Sequence, residues 1–208
     1  MAGRCVIIGA GDLSVSEIPL HEGDYVIAAD GGFSYCRYLE IEPDLILGDF
    51  DSVDERNMED IMEMRARYPE KVKVLPVEKD DTDMLAAIKE GLNKGFEEFV
   101  IYGGQGGRLA HTMANIQCIA GIARRGGRGF LIGRDSVITA ICNDTVKFSP
   151  ESSGFISVFS HGEEAVGVTE KGLKYHLSNA LLPNTVSLGV SNEFTGVESL
   201  ISVKEGTL

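Results

Sequence analysis

The 208-residue sequence contains no tryptophan and only four histidines and four cysteines. Cys5, Cys36, Cys118 and Cys142 show no C-x-x-C spacing, so a disulfide scaffold and a zinc ribbon are both disfavoured, and reduced, buried thiols are predicted. Four scattered histidines also offer no His-rich dinuclear metal site, which argues against a metal-dependent phosphohydrolase.

Positive charge is scarce as well. The 19 lysines and arginines face 32 aspartates and glutamates, giving a net charge of −13 that repels a phosphate backbone, so no nucleic-acid partner is expected. No apolar stretch is long enough to cross a bilayer, and the N-terminal "MAGRCVIIGAGDLS" turns polar too early for a signal peptide. We therefore expect no membrane association and a cytoplasmic location.

The first two thirds of the chain alternate short β-branched runs with segments able to form helices, which predicts a parallel sheet with crossover helices. The six runs are "RCVIIGA", "DYVIAAD", "DLILGD", "KVKVLPV", "EEFVIYGG" and "GFLIG". One helix is predicted to begin near Thr82 and to end by Gly95, because apolar residues recur between them at spacings of three and four.

The pattern changes after about Ser136. The runs "SVITAIC", "TVKFS", "GFISVFS", "GLKYHL", "NTVSLGV" and "SLISVKE" follow one another with only Gly, Asn, Pro and Ser turns between them. Such closely spaced runs predict antiparallel strands. We therefore predict an α/β domain over residues 1–134 and a β domain over residues 135–208.

Carboxylates follow three consecutive predicted strands: Asp30 after the second, Asp49 and Asp51 after the third, and Asp80, Asp81 and Asp83 after the fourth. The carboxyl ends of parallel strands form the ligand crevice of an open sheet, and residues i and i+2 point the same way. Each aspartate could instead cap the next helix, but Ser, Thr or Asn would do so without mutual repulsion. A Mg²⁺ site explains the excess of acid.

The fifth strand runs into "YGGQGGRLAH", a glycine-rich strand-to-helix turn. Exposed backbone N–H groups and a helix N-terminus make an anion cradle, and Arg108 can donate two hydrogen bonds to a phosphate. A plain tight turn is the alternative interpretation. Beside an acidic metal crevice, the turn predicts polyphosphate binding. The earlier "GAGDLS" lacks the third glycine of a dinucleotide fingerprint, so NAD is disfavoured.

In this order, "ADGG", "LGDFDS", "KDDTDM", "GGQGGRLAH", "GLKYHL" and "GVSNEF" resemble the motif series of the thiamine pyrophosphokinase family. The resemblance spans nearly the whole chain. It implies an α/β nucleotide-binding domain followed by an antiparallel β-sandwich, in a homodimer with active sites shared between subunits. It also implies Mg²⁺-dependent transfer of diphosphate from ATP to thiamine, giving thiamine diphosphate and AMP.

Site residues follow from the same resemblance. The metal ligands that it implies are Asp30, Asp49, Asp51, Asp80 and Asp83. The residues that it implies for substrate binding are Gly31, Gly104, Gly107, Arg108, His111, Ser191 and Asn192. Asp51, Asp80 and Arg108 are the expected catalytic residues, with Asp51 or Asp80 as the proton acceptor. Ser191 and Asn192 can hydrogen-bond an aminopyrimidine edge.

The chain departs from the family pattern at two positions. Ala110 stands where an aspartate usually precedes the histidine, here His111, and His176 stands where proline is common. Two alternatives therefore stay open: a related pterin-type diphosphokinase with a different acceptor pocket, and a nucleotide-binding regulator that lost its activity with the aspartate.

Overall fold

The structure is a computed structural model that describes residues 3–13, 15–51 and 53–208. The chain divides into two compact units. The first comprises Met1–Ile119 and Gly127–Thr139, and the second comprises Ala120–Gly126 and Ala140–Leu208. The predicted boundary between residues 134 and 135 stays a prediction.

A seven-stranded sheet forms the centre of the first unit. Its strands are β1 (Cys5–Ile8), β2 (Tyr25–Ala29), β3 (Leu45–Gly48), β4 (Val72–Val74), β5 (Glu98–Tyr102), β6 (Arg128–Ile132) and β7 (Val137–Thr139). They lie in the order β4-β3-β2-β1-β5-β6-β7, and every neighbouring pair is parallel except β6 and β7. The predicted parallel sheet is confirmed. All residues of β1 and β3 are buried, as expected for strands covered on both faces.

Among the described residues, four α-helices connect the parallel strands: α1 (Gly32–Tyr38), α2 (Glu55–Arg67), α3 (Asp83–Asn93) and α4 (Leu109–Ala123). A short 3₁₀ helix (Pro69–Lys71) follows α2. The prediction for α3 is confirmed, since the Thr82 hydroxyl accepts a hydrogen bond from the Leu85 N–H at 3.2 Å and caps the helix. The described part of the chain contains no helix long and apolar enough to cross a membrane.

Two local expectations about the first unit and its boundary are wrong. The described residues between β1 and β2 contain no helix, because Pro19 and Gly23 interrupt this short polar connection. The segment "SVITAIC" was expected in the β domain, but β7 pairs with β6 in the first sheet. Gly133 N–H bonds the Ser136 carbonyl at 2.9 Å, which closes a turn that is too short for a parallel crossover.

The second unit is antiparallel, as predicted. Its strands are β8 (Thr145–Phe148), β9 (Phe155–Val158), β10 (Glu164–Lys171), β11 (Leu177–Pro183), β12 (Gly189–Glu193) and β13 (Ser199–Ser202). They form a four-stranded sheet, β11-β10-β13-β8, and a two-stranded sheet, β12-β9. Val158 of the smaller sheet joins Val168 and Ile201 of the larger one in a single apolar core, which gives a sandwich-like domain. The run "GLKYHL", expected as a strand, is mostly the connection between β10 and β11.

Candidate active site

Three of the predicted aspartates meet at the carboxyl edge of the parallel sheet. Asp30 follows β2, and Asp49 and Asp51 follow β3; each offers a carboxylate oxygen within 4.8 Å of the other two. Gly48 permits this approach, because a Cβ at that position would lie 2.9 Å from the Asp30 Cα. We call these three residues the carboxylate triad.

The backbone of the triad is held in an uncommon conformation. Asp30 has a φ of 50° and Phe50 a φ of 61°, both in the left-handed region that residues other than glycine seldom adopt. Phe50 is 3% exposed and packs in the core, while its neighbours Asp49 and Asp51 stay nearer the surface. Packing of Phe50 therefore fixes the turn that presents the two aspartates.

The triad accumulates negative charge that the described residues neutralise only in part. Burial raises the pKa of Asp30; a backbone hydrogen bond from Gly31 lowers it, and the nearby charges of Asp83, Asp49 and Asp51 raise it further. Asp30 Oδ1 is buried without a hydrogen-bond partner in the described part of the chain. An all-carboxylate donor set with an unsatisfied buried oxygen fits a hard divalent cation such as Mg²⁺.

Lys79 supplies a positive charge beside the triad. Its Nζ lies 2.6 Å from Asp49 Oδ2 and 3.1 Å from Asp83 Oδ1, and its side chain is only 15% exposed. The hydrogen bond from Lys79 lowers the pKa of Asp49. Asp83 Oδ1 is buried, and the Lys79 ammonium group compensates part of its charge. Lys79 thus joins Asp83 to the triad.

Asp80 takes a different position from the other predicted metal ligands. It is exposed and lies outside the group of oxygens that defines the triad. With Lys79, Asp81 and Lys89 it lines a hollow of about 360 Å³, in which Lys89 Nζ lies 2.5 Å from Asp81 Oδ2. The sequence predicts Asp80 as a metal ligand together with the triad, but in the structure its carboxylate is not part of that group. The role of Asp80 stays a prediction.

The glycine-rich turn lies where the strand order reverses. Strands β2 to β4 extend from one side of β1 and strands β5 to β7 from the other, so the strand order reverses between β1 and β5. Open α/β sheets bind ligands at the carboxyl ends of the two strands that flank such a switch point. The two loops there are joined: Gly11 N–H bonds the Gly103 carbonyl at 2.7 Å, and Asp12 N–H bonds the Gln105 carbonyl at 2.8 Å. The predicted phosphate turn therefore lies at the topological binding site.

The predicted phosphate-binding residues differ in accessibility. Gly104 is buried, its carbonyl accepts a hydrogen bond from Asn115 Nδ2 at 2.7 Å, and a Cβ there would lie 2.4 Å from Leu131 Cδ1. Packing thus accounts for glycine at 104. By contrast Gly107, at a φ of 61°, is exposed, as are Arg108 immediately before α4 and His111 in its first turn.

Gly31 connects the two parts of this edge. It precedes α1 directly after Asp30, and a Cβ on it would lie 3.1 Å from the Ala10 Cβ in the loop after β1. The Tyr35 hydroxyl of α1 donates to the Gly11 carbonyl at 2.9 Å. The β1 loop therefore lies between the carboxylate triad and the glycine-rich turn.

Ser191 and Asn192 lie on β12 of the second unit and are placed differently from each other. Ser191 is exposed with a φ of 60°, whereas Asn192 is 3% exposed. The Asn192 side chain bonds both the N–H and the carbonyl of Tyr175 and also donates to Glu170. A direct ligand contact by Asn192 would have to replace one of these bonds, so its contact role stays a prediction.

Two charged residues of these sites were not among the predicted ones. Lys79 carried a signal, because it stands inside the acidic run "EKDDTD". Glu170 carried none, because glutamate in a strand is ordinarily expected to face solvent.

Comparisons with known proteins agree with this architecture. Residues 19–128 match the family described as "Thiamin pyrophosphokinase, catalytic domain", and residues 145–208 match "Thiamin pyrophosphokinase, vitamin B1 binding domain". A thiamine pyrophosphokinase from Bacillus subtilis is 28% identical over 183 residues, which cover 88% of this chain and 84% of that protein.

Solved structures give the same result. The crystal structure of thiamine pyrophosphokinase from Bacillus subtilis matches with a TM-score of 0.84 and 26% identity, covering 98% of this chain and 96% of that one. The thiamin pyrophosphokinase of Geobacillus thermodenitrificans matches with a TM-score of 0.80 and 25% identity, covering 98% and 94%. Because the catalytic-domain match alone covers more than half of the sequence, the chain belongs to the thiamin pyrophosphokinase family and is a diphosphotransferase.

Proposed function

We propose that this enzyme transfers the terminal diphosphate of ATP to the hydroxyethyl group of thiamine, giving thiamine diphosphate and AMP, with Mg²⁺ as its cofactor. The observation that carries the proposal is the carboxylate triad beside the switch point of the sheet. ATP would bind across this edge, with its phosphates between the triad and the glycine-rich turn. Family membership supports thiamine and ATP as the two substrates.

Asp30, Asp49 and Asp51 would hold the metal ion, and Asp80 and Asp83 are further candidate ligands. When bound, Mg²⁺ supplies charge neutralisation at the phosphate oxygens. The buried Oδ1 of Asp30 supports this assignment, because it lacks a hydrogen-bond partner among the described residues and a bound cation would satisfy it.

The glycine-rich turn and α4 would bind the diphosphate. The exposed backbone at Gly107, the exposed guanidinium of Arg108 and the N-terminus of a 15-residue helix all favour an anion at this position. Gly31, Gly104 and His111 belong to the same proposed nucleotide site. No covalent intermediate is required, because the substrate hydroxyl can attack the β-phosphorus directly once it is aligned.

One proton must leave the attacking hydroxyl group. Asp51 and Asp80 are both candidates to accept it, since each is exposed and follows a strand of the candidate active-site edge. Alignment of the hydroxyl group with the accepting carboxylate is the contribution of the chain itself to this step.

Thiamine would be bound through Ser191 and Asn192, in a homodimer whose subunits share the active sites. Exposed aromatic residues at β9 support an interface next to these residues: Phe155 on β9 and Phe159 directly after it are 75% and 61% exposed. Ser157 between them accepts a hydrogen bond from the Ser191 N–H at 3.0 Å. Contiguous exposed apolar patches mark association surfaces, and these two rings would contribute to one. The same proposal includes a cytoplasmic location, which the four free thiols support. It also includes the absence of nucleic-acid partners, which the net charge of −13 supports.

Product analysis tests the function. Purified enzyme with ATP, Mg²⁺ and thiamine should release AMP and thiamine diphosphate in equal amounts, and neither should form without Mg²⁺ or thiamine. AMP release with a pterin alcohol but not with thiamine would establish the pterin-type diphosphokinase instead. Nucleotide binding without either product would establish a silent regulator.

A further inference from the structure

Strand β12 contains a bulge at the proposed acceptor-binding segment. Gly189 pairs with Val158 and Asn192 with Ile156, so two residues of β12 oppose one residue of β9. The two residues of the bulge, Val190 and Ser191, are both exposed. Bulges re-aim side chains next to active sites, and this one turns Ser191 outward in the left-handed conformation.

Asn192 joins this bulge to the connection between β10 and β11. Its Oδ1 accepts from the Tyr175 N–H at 2.8 Å, and its Nδ2 donates to the Tyr175 carbonyl at 2.7 Å. The second Nδ2 hydrogen bond goes to Glu170 Oε2, also at 2.7 Å. Both amide hydrogens of Asn192 are therefore used, and the side chain is fixed between two segments.

Glu170 is the buried end of this network. It is 1% exposed on β10, and its Oε1 has no hydrogen-bond partner among the described residues. Gly189 packs against it, since a Cβ there would lie 3.3 Å from Glu170 Oε1 and 2.6 Å from the Val158 carbonyl oxygen. Burial raises the pKa of Glu170, and the hydrogen bond from Asn192 opposes this. A buried carboxyl group with one partner is costly for folding, so stability alone does not account for it.

We propose that Glu170 is a positioning residue for the acceptor site: through Asn192 it holds the Tyr175 connection and the bulge that presents Ser191. The proposal rests on the proposed function only in naming thiamine as the ligand. The contacts that carry it, Glu170 to Asn192 and Asn192 to Tyr175, lie within the second unit.

Three variants test the proposal. Glu170→Leu removes the acceptor of the Asn192 bond, whereas Glu170→Gln retains a carbonyl oxygen there. Val168→Ala is the matched control, because Val168 is fully buried on the same strand and its truncation lowers stability without removing this bond. In Glu170→Leu we expect the KM for thiamine to rise by about tenfold or more, with the KM for ATP and kcat near wild type. Glu170→Gln should restore most of the thiamine affinity, and Val168→Ala should leave it unchanged.

Coupling to Asn192 separates positioning from general destabilisation. If Glu170 acts through Asn192, the double variant Glu170→Leu with Asn192→Ala should raise the KM for thiamine no more than the more severe single variant. Additive effects would overturn the proposal. So would an equal rise in the KM values for ATP and thiamine, or an effect of Val168→Ala as large as that of Glu170→Leu.

Hydrogen exchange of the Tyr175 amide provides a readout that needs no activity. Its N–H is bound to Asn192 Oδ1, so exchange should be faster in Glu170→Leu and unchanged in Glu170→Gln. An unchanged rate in Glu170→Leu would refute the positioning role. If wild type makes no thiamine diphosphate but the Tyr175 amide responds as expected, the proposed substrate is wrong and the positioning role holds.

Discussion

Lys79 competes with a metal ion for Asp49, and its removal should tighten metal binding. The ammonium group lies 2.6 Å from Asp49 Oδ2 and 3.1 Å from Asp83 Oδ1, with both partners largely shielded from solvent. A divalent ion that enters the triad must share Asp49 with this charge or displace it. In Lys79→Met the triad keeps its three carboxylates and loses the nearest competing cation.

Coulomb's law gives the size of the effect. Metal–oxygen bonds of about 2.1 Å place an ion bound to Asp49 roughly 6 Å from the lysine nitrogen. At that distance, the repulsion between a divalent and a monovalent cation is about 1.4 kcal/mol in bulk water and about 5.5 kcal/mol at the dielectric constant of pairs near a protein surface. Even the smaller value corresponds to a change in affinity of about tenfold.

Mn²⁺ binding without nucleotide, followed by electron paramagnetic resonance, measures this directly. We expect Lys79→Met to bind Mn²⁺ at least about tenfold more tightly than wild type, and Lys79→Arg to stay near wild type because it keeps the charge. Lys89→Met is the matched control, since Lys89 pairs with Asp81 outside the triad. Equal or weaker binding by Lys79→Met would show that Lys79 orients Asp49 rather than competing for it. Absence of binding in every variant would remove the metal site itself.

Three further results are expected. Asp51→Asn should lower kcat by at least about a hundredfold at an unchanged melting temperature, and near-normal turnover would remove Asp51 from the mechanism. A mixture of Asp51→Asn and Asn192→Ala subunits should regain part of the activity that each variant lacks alone, because one of the two shared active sites in a mixed dimer is intact. A verified mixed dimer without activity would contradict the sharing of active sites between subunits. Asp24→Asn should lower the free energy of unfolding by about 2 kcal/mol at pH 7. Burial raises the pKa of Asp24, but the hydrogen bonds from Arg4 and His21 outweigh this effect and lower the pKa from 3.8 to about 2. Since the folded-state pKa is lowered, this stabilisation is present above about pH 4 and lost as the pH falls towards 2. Urea denaturation measures the free energy of unfolding of wild type and variant over that pH range, and a difference between the two that does not change with pH would refute the prediction.

Local patterns were sufficient to predict the sheet and the edge that carries the triad. The β-branched runs located the six strands, and the acids that follow β2 and β3 located Asp30, Asp49 and Asp51, because both signals depend on residues close in sequence. Asp80 shows the limit of this reasoning. The edge strand β4 ends at Val74, six residues before Asp80, whereas Asp30 and Asp49 come directly after their strands, and Asp80 is not among the three carboxylates that meet.

Glu170 could not be found from the sequence, because its burial depends on a bulge. Ala165 and Gly167 face inward, and strict alternation would then bury residue 169 and expose residue 170. Gly167, with a φ of 73°, shifts the phase so that Val168 and Glu170 are buried instead. The shift depends on pairing with β11, and no short-range pattern encodes that.

Backbone strain marks both proposed substrate sites. Among the described residues, six other than glycine have a positive φ: Asp30, Glu40, Phe50, Asn143, Asn179 and Ser191. Asparagine adopts this conformation readily in turns, whereas Phe50 and Ser191 do so at a cost of roughly 1–3 kcal/mol each. Phe50 offsets this cost by burial in the core, and Ser191 is held by a hydrogen bond to Ser157 and by the network of Asn192 and Glu170. In both places buried groups hold a strained turn, and the polar residues at that turn stay near the surface. Relaxation of the turn at Ser191 would move its polar groups without unfolding the domain, so loss of the hydrogen bond between Glu170 and Asn192 should affect thiamine affinity. Truncation of Phe50 should lower stability as well, because it also removes core packing.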